Sequence, residues 1–170
     1  MDHSGRTVNE VKGVPVFTEK QKEEIMDYLI ETPGSIYLGC DSVKYKKGGR
    51  WYARYATVLV VHIEDRHGCK VFGYIEHEPD HDDKEDKPRL RLMNEVYKVA
   101  ECYLAFGELF EDRNVEIHLD VNPKEEHASS AVVKQAVGYI LGVTGIQPLI
   151  KPQAFAASYA ADAGARKDLY

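Results

Sequence analysis

Ile36-Tyr37-Leu38-Gly39-Cys40-Asp41-Ser42-Val43-Lys44-Tyr45, then Lys46-Lys47-Gly48-Gly49-Arg50, then the run from Trp51 to Ile63, is the stretch on which the fold turns. Two segments rich in aromatic and β-branched residues flank a Gly-Gly turn, which is the pattern of a β-hairpin. A second turn at Asp65-Arg66-His67-Gly68 leads into Val71–Ile75, so three antiparallel strands form a meander. Upstream, Thr18 and Gln21 have the spacing of a capping box and open a helix with Ile25, Tyr28 and Leu29 on one side, ended by Pro33-Gly34. Downstream the period changes. The polar stretch Glu78–Pro88 reads as a loop, and from Arg89 the residues Leu92, Val96, Val99 and Tyr103 fall on one helical stripe. Val115–Val121 then reads as a strand, Ser129–Leu141 as a helix, Ile146–Ile150 as a strand and Phe155–Lys167 as a helix. Such alternation implies parallel strands joined by crossover helices. The expected architecture is α/β: a five-stranded mixed sheet, three antiparallel strands and then two parallel ones, with helices on both faces.

A chain of 170 residues is long enough for one domain with a single core, here residues 14–168, with residues 1–13 expected as a flexible N-terminal extension. No apolar run approaches the length that spans a bilayer, and the polar start has no signal-peptide core, so a cytoplasmic protein without membrane association is expected. Cys40, Cys69 and Cys102 are odd in number and widely spaced, which fits neither a disulfide framework nor a zinc motif; they read as buried thiols. A net charge of −6 argues against broad coating of nucleic acid and confines any such contact to a local patch.

Four acidic residues on four different elements are the candidate chemistry: Asp41, Glu95, Asp120 and Asp162. A carboxylate at the end of an apolar run must be hydrogen-bonded, solvated or neutralised, because burying an unpaired charge costs several kcal/mol. Oxygen donors of this kind suit Mg²⁺ or Mn²⁺, and the fold can bring distant positions together. Each residue also has a plainer reading. Asp41 can bond a nearby backbone amide, and Asp120 can form an Asx-turn with Asn122-Pro123. Glu95 lies about 60° off the centre of its helix stripe, where a boundary Glu can simply pair with a cation. Asp162, on a helix lined with small residues, can be an ordinary surface group.

Taken together, these segments resemble the ribonuclease H-like superfamily, and most closely the YkuK-type family of predicted nucleases. The resemblance runs over about residues 14–165. It rests on Gly39-Cys40-Asp41-Ser42, Glu95, Asp120-Val121-Asn122, Gly138-Tyr139-Ile140-Leu141-Gly142, Lys151-Pro152, and Ala157-Ser158 with Ala161-Asp162, where Ser158 replaces the Asn common in this pattern. It implies a nuclease in which Asp41, Glu95, Asp120 and Asp162 are the catalytic and metal-binding residues. Asp41 would bridge two ions, Glu95 and Asp120 would complete the shell of the first, and Asp162 would help hold the second. Paired divalent ions of this type serve in-line phosphodiester hydrolysis.

The hairpin residues 44–55 combine five cations with four aromatics and no acid, and Lys44, Lys46, Lys47, Arg50 and Trp51 are the candidate nucleic-acid contacts. The alternative is a hairpin whose lysines protect the turn and whose aromatics face the core. His77, Asp80, His81, Asp82 and Asp83 are read as a solvated loop, His118 as an ordinary strand residue, and His127 as a loop residue beyond Asp120. No nucleophile elbow, P-loop or dinucleotide fingerprint is present. Three functions are compatible with this reading: a metal-dependent nuclease, a binding module for nucleic acid or a nucleotide-like ligand that has lost turnover, and a scaffold with ordinary surface carboxylates. RNA, DNA and hybrid substrates stay open, as does the oligomeric state.

Overall fold

The computed structural model describes residues 17–63, 68–81, 89–121 and 129–151. The N-terminal extension, His127, Asp162 and the helix expected at Phe155–Lys167 lie outside these residues. The element order is α1 (Glu19–Glu31), β1 (Gly34–Lys47), β2 (Arg50–Ile63), β3 (Cys69–Pro79), α2 (Arg89–Phe110), β4 (Val115–Leu119) and α3 (Ser129–Thr144).

Local chemistry explains the boundaries. The capping box forms at α1: the Gln21 amide donates to the Thr18 hydroxyl at 3.2 Å, and the Thr18 amide donates to the Gln21 side chain at 3.0 Å. Between β1 and β2 the turn residues Gly48 and Gly49 have φ of 57° and 76°, the left-handed pair that a tight two-residue hairpin requires.

The sheet order is β3-β2-β1-β4, with β2 antiparallel to both β1 and β3 and β4 parallel to β1. Four strands are therefore present among the described residues, not the expected five. The segment Ile146–Ile150 contributes one parallel bridge instead, His118 to Leu149, in which Leu149 donates to Ile117 at 2.8 Å and accepts from Leu119 at 2.9 Å. Gly145, at φ 73°, and Pro148, with its fixed φ and missing N–H, keep the approach to that edge irregular.

Two further expectations are corrected. β3 continues to Pro79 rather than ending at Ile75, because its polar residues have cross-strand and helix partners that hold them in the ladder, described below. Cys69 is exposed, since it is the first residue of β3, whereas Cys40 and Cys102 are buried as expected.

Side chains alternate across β1. Ile36, Leu38 and Cys40 point to one face and join Leu59, Val61, Ile117 and Leu119 of the neighbouring strands. Onto them pack Ile25 and Leu29 of α1, Met93, Val96, Val99 and Ala100 of α2, and Val132, Ala136 and Ile140 of α3. The described helices thus share one core and one face of the sheet. Val58 and Val60 form a smaller cluster on the other face with Tyr37 and Val71.

Candidate active site

The parallel ladder between β1 and β4 ends at the pair Cys40–Leu119. One step further in the same register stand Asp41 and Asp120. Neighbouring strands lie about 4.8 Å apart, so the two acidic residues stand side by side where β4 ends against the middle of β1, at the carboxyl edge of the parallel pairing, the place where α/β sheets collect ligands. The protein accommodates their charges separately. The Ser42 amide donates to Asp41 Oδ1 at 2.8 Å, which is the backbone bond weighed above for this residue. Asp120 Oδ1 forms an ion pair with Lys151 Nζ.

Glu95 comes from α2 and is 5% exposed, well inside the boundary position that its helix angle suggested. It can sink this far because β1 offers Ser42, the next polar residue on the core-facing side, as a partner: Ser42 Oγ donates to Glu95 Oε1. Arg91, one helical turn earlier, braces the same hydroxyl, with Nη1 at 3.0 Å from Ser42 Oγ and 3.4 Å from the Ser42 carbonyl. Burial pushes the Glu95 carboxyl well above its ordinary range; the neighbouring Asp41, and more weakly Asp120, push the same way. The Ser42 hydrogen bond and the Arg91 charge oppose the rise. Asp41 and Asp120 thus both act on the Glu95 carboxyl, which places the three residues in one electrostatic neighbourhood.

Burial, then the Glu95 charge, raises the Cys40 thiol well above its usual value, so Cys40 is a packed neighbour here and not a thiolate nucleophile. Further along α2, the buried Lys98 reaches Glu76 at 2.8 Å and Glu78 at 2.6 Å and lies 4.7 Å from the Tyr55 ring centre. Burial alone would lower its ammonium, but the two carboxylates outweigh that and hold it above the normal lysine value.

The donor chemistry suits a hard divalent cation: the group offers carboxylate oxygens, and a positive charge would relieve the repulsion within it. Among the described residues, however, no group of three or more His, Cys, Asp or Glu side chains is placed to hold an ion. Glu95 is turned to Ser42 and Asp120 to Lys151. Asp162 lies outside the described residues.

The hairpin continues from this edge. Trp51 is 45% exposed, with Lys44 Nζ at 4.7 Å and Lys46 Nζ at 5.7 Å from its ring centre. Lys47 and Arg50 are exposed at the turn, while Lys44 also reaches Asp80 at 3.5 Å. Of the aromatics, Tyr55 is buried as the packing alternative required, and Tyr45 stacks on Tyr52 at 5.7 Å. Tyr45 also holds His77, hydroxyl to Nδ1, at 2.9 Å, which accounts for that histidine without a metal. His118 is buried, with Nε2 3.0 Å from Glu116.

Arg91 is the site residue that the sequence reading passed over. Its signal was the four-residue spacing to Glu95, which puts both on one side of α2. Ser42 and Lys151 stood in quoted motifs without a role; each contacts a carboxylate of the group.

No curated protein and no solved structure matches the chain. A family model described as ribonuclease H-like matches residues 18–166, which takes in every element described above and all four candidate acidic residues. The chain belongs to the ribonuclease H-like family.

Proposed function

We propose that this protein hydrolyses phosphodiester bonds of nucleic acid at the carboxyl edge of β1 and β4, with Mg²⁺ or Mn²⁺ held by Asp41, Glu95, Asp120 and Asp162. The observation that carries this reading is the placement of Asp41 and Asp120 side by side just past the last β1–β4 pair, where both act on the charge of the buried Glu95. Family membership supports a nuclease-type function. Bound divalent ions supply Lewis-acid stabilisation and an activated water. The chain's own contribution is positional: Ser42 fixes the Glu95 carboxylate, Arg91 fixes Ser42, and the Ser42 amide fixes Asp41. Lys44, Lys46, Lys47, Arg50 and Trp51 lie on the hairpin that leads away from this edge and contact the nucleic acid.

One observation favours a second reading. Arg91 and Lys151 already supply positive charge to the group, as in a module that binds nucleic acid or a nucleotide-like ligand without turning it over. Cleavage of labelled single-stranded, duplex and hybrid substrates with Mg²⁺ or Mn²⁺ separates the two. The nuclease reading expects metal-dependent cutting that falls to background in Asp41→Asn, with an unchanged circular dichroism spectrum. Undiminished cutting by Asp41→Asn refutes it, and binding without cutting by the wild type transfers the conclusion to the second reading.

A further inference from the structure

The β1–β2 hairpin outruns its neighbours. β4 pairs with β1 no further than Cys40, and β3 pairs with β2 no further than Tyr52, with one additional bond from the Asp80 amide to the Trp51 carbonyl at 3.0 Å. Among the described strands, residues 41–47 of β1 therefore run on past β4, and the tip from Lys46 to Arg50 stands beyond both flanking strands. Its two sides differ. Ser42, Lys44 and Lys46 alternate onto the same side of β1, and Trp51 is the cross-strand partner of Lys46, so it points the same way. On that side a single line leads from the Glu95–Ser42 contact to Lys44 and then to the Lys46–Trp51 pair.

Trp51 is unusual in its setting. A large ring stands nearly half exposed at a hairpin tip, and two ammonium groups hold it by cation–π contact. A ring with cations beside it takes a stacked base together with its flanking phosphates. A fully paired duplex keeps its bases inside the stack and offers none to such a ring. The separation also suits a nucleic acid: from Ser42 to Lys46 the strand rises about 14 Å, the length of about four stacked nucleotides.

We infer that Trp51, flanked by Lys44 and Lys46, is a stacking platform for an unpaired nucleotide about four positions from the phosphate that lies over the carboxylates, so that the preferred substrate is single-stranded nucleic acid or a duplex with a single-stranded flank. The inference rests on the nuclease reading for the position of that phosphate, but the recognition it describes is measured without cleavage. Trp51 is the single tryptophan of the chain and serves as its own reporter.

The full chain in EDTA is titrated with oligothymidylate, oligouridylate and a blunt duplex, following tryptophan fluorescence and the anisotropy of a labelled strand. Quenching by the single strands and not by the duplex is the expected result. Trp51→Ala should weaken single-strand binding about tenfold or more, while Trp51→Phe, which keeps a stacking face, retains most of it. Equal binding of duplex and single strand without quenching, or an unchanged affinity in Trp51→Ala, overturns the inference. Cleavage then separates the two proposals. Metal-dependent cutting restricted to duplex and indifferent to Trp51→Ala keeps the nuclease and removes the platform; quenching by single strands without any cutting keeps the platform and removes the nuclease.

Discussion

Replacing Glu95 by Gln should make the protein more stable and inactive at once. Glu95 is 5% exposed, and its ionised form is disfavoured first by burial and then by Asp41. The effective cost of holding a carboxylate in such a place is several kcal/mol. The Ser42 bond returns about 1.5–3 kcal/mol, and Arg91 returns part of the remainder through its charge. Gln keeps the shape and the oxygen that accepts from Ser42 and removes the charge, so the variant should gain about 1–3 kcal/mol near neutral pH. For a domain of this length each kcal/mol moves Tm by about 2–4 °C, so a rise of about 2–12 °C in EDTA is expected.

The pH dependence gives the sign a second check. A carboxyl whose folded pKa is raised stabilises the native state fully below its unfolded value of about 4.3, and that contribution is lost as pH rises through the raised folded value. The advantage of Glu95→Gln should therefore vanish in acid and grow toward neutrality. Divalent cation should reverse the ranking: a metal at about a thousandfold its Kd stabilises the wild type by about 4.1 kcal/mol and should leave the Gln variant nearly unmoved. Thermal melts of both proteins at several pH values, with EDTA or Mn²⁺, test all three expectations. A Gln variant no more stable than the wild type in EDTA at neutral pH would refute the reasoning, because Glu95 would then be a satisfied structural carboxylate.

Other consequences lie away from the carboxylates. Lys98→Met strands Glu76 and Glu78; since Glu78 is partly solvated, the loss should be about 2–4 kcal/mol in urea unfolding, with part recovered on adding Glu76→Gln, and a change under about 0.5 kcal/mol would dismiss the buried pair as a stabilising element. Gly34, at φ 156°, starts β1 with its α-carbon against the His62 carbonyl, where a Cβ has no room, so Gly34→Ala should lower stability by about 2 kcal/mol or more in a thermal melt; a neutral result would mean that the strand can shift at its start.

The hairpin, the capping box and the α2 stripe were legible because each is a local pattern: a Gly-Gly turn, a three-residue spacing, a helical period. What escaped was set by partners distant in sequence. The polar residues Glu76, Glu78 and Asp80 look like loop until Lys98 and Lys44 are brought to them, 22, 20 and 36 positions away; β3 therefore runs four residues past the expected end. Glu95 looked like a boundary residue because helix geometry sees only its own stripe and not the Ser42 hydroxyl beneath it. Ile146–Ile150 reads as a strand from its apolar residues, and backbone geometry around Pro148 limits it to one bridge. Of the four candidate carboxylates, Asp41, Glu95 and Asp120 are gathered into one electrostatic group by the described fold.

An acidic protein and a nucleic-acid substrate are reconciled by where the charges sit. The chain carries a net −6, yet residues 44–55 hold five cations and no acid, and the acidic group lies at the middle of β1, where β4 ends. At physiological ionic strength exposed charges are screened beyond about 8 Å, while Ser42 and Lys46 are about 14 Å apart along β1. A phosphate at the hairpin tip therefore feels Lys46, Lys47 and Arg50 and little of the carboxylates or of the net charge. A phosphate over Asp41, Glu95 and Asp120 meets the opposite field and can stay only where positive charge is supplied locally. On the proposed reading affinity and chemistry are thus separable along one strand: the tip would set which nucleic acid is held, and the carboxyl edge would set what cation must accompany it.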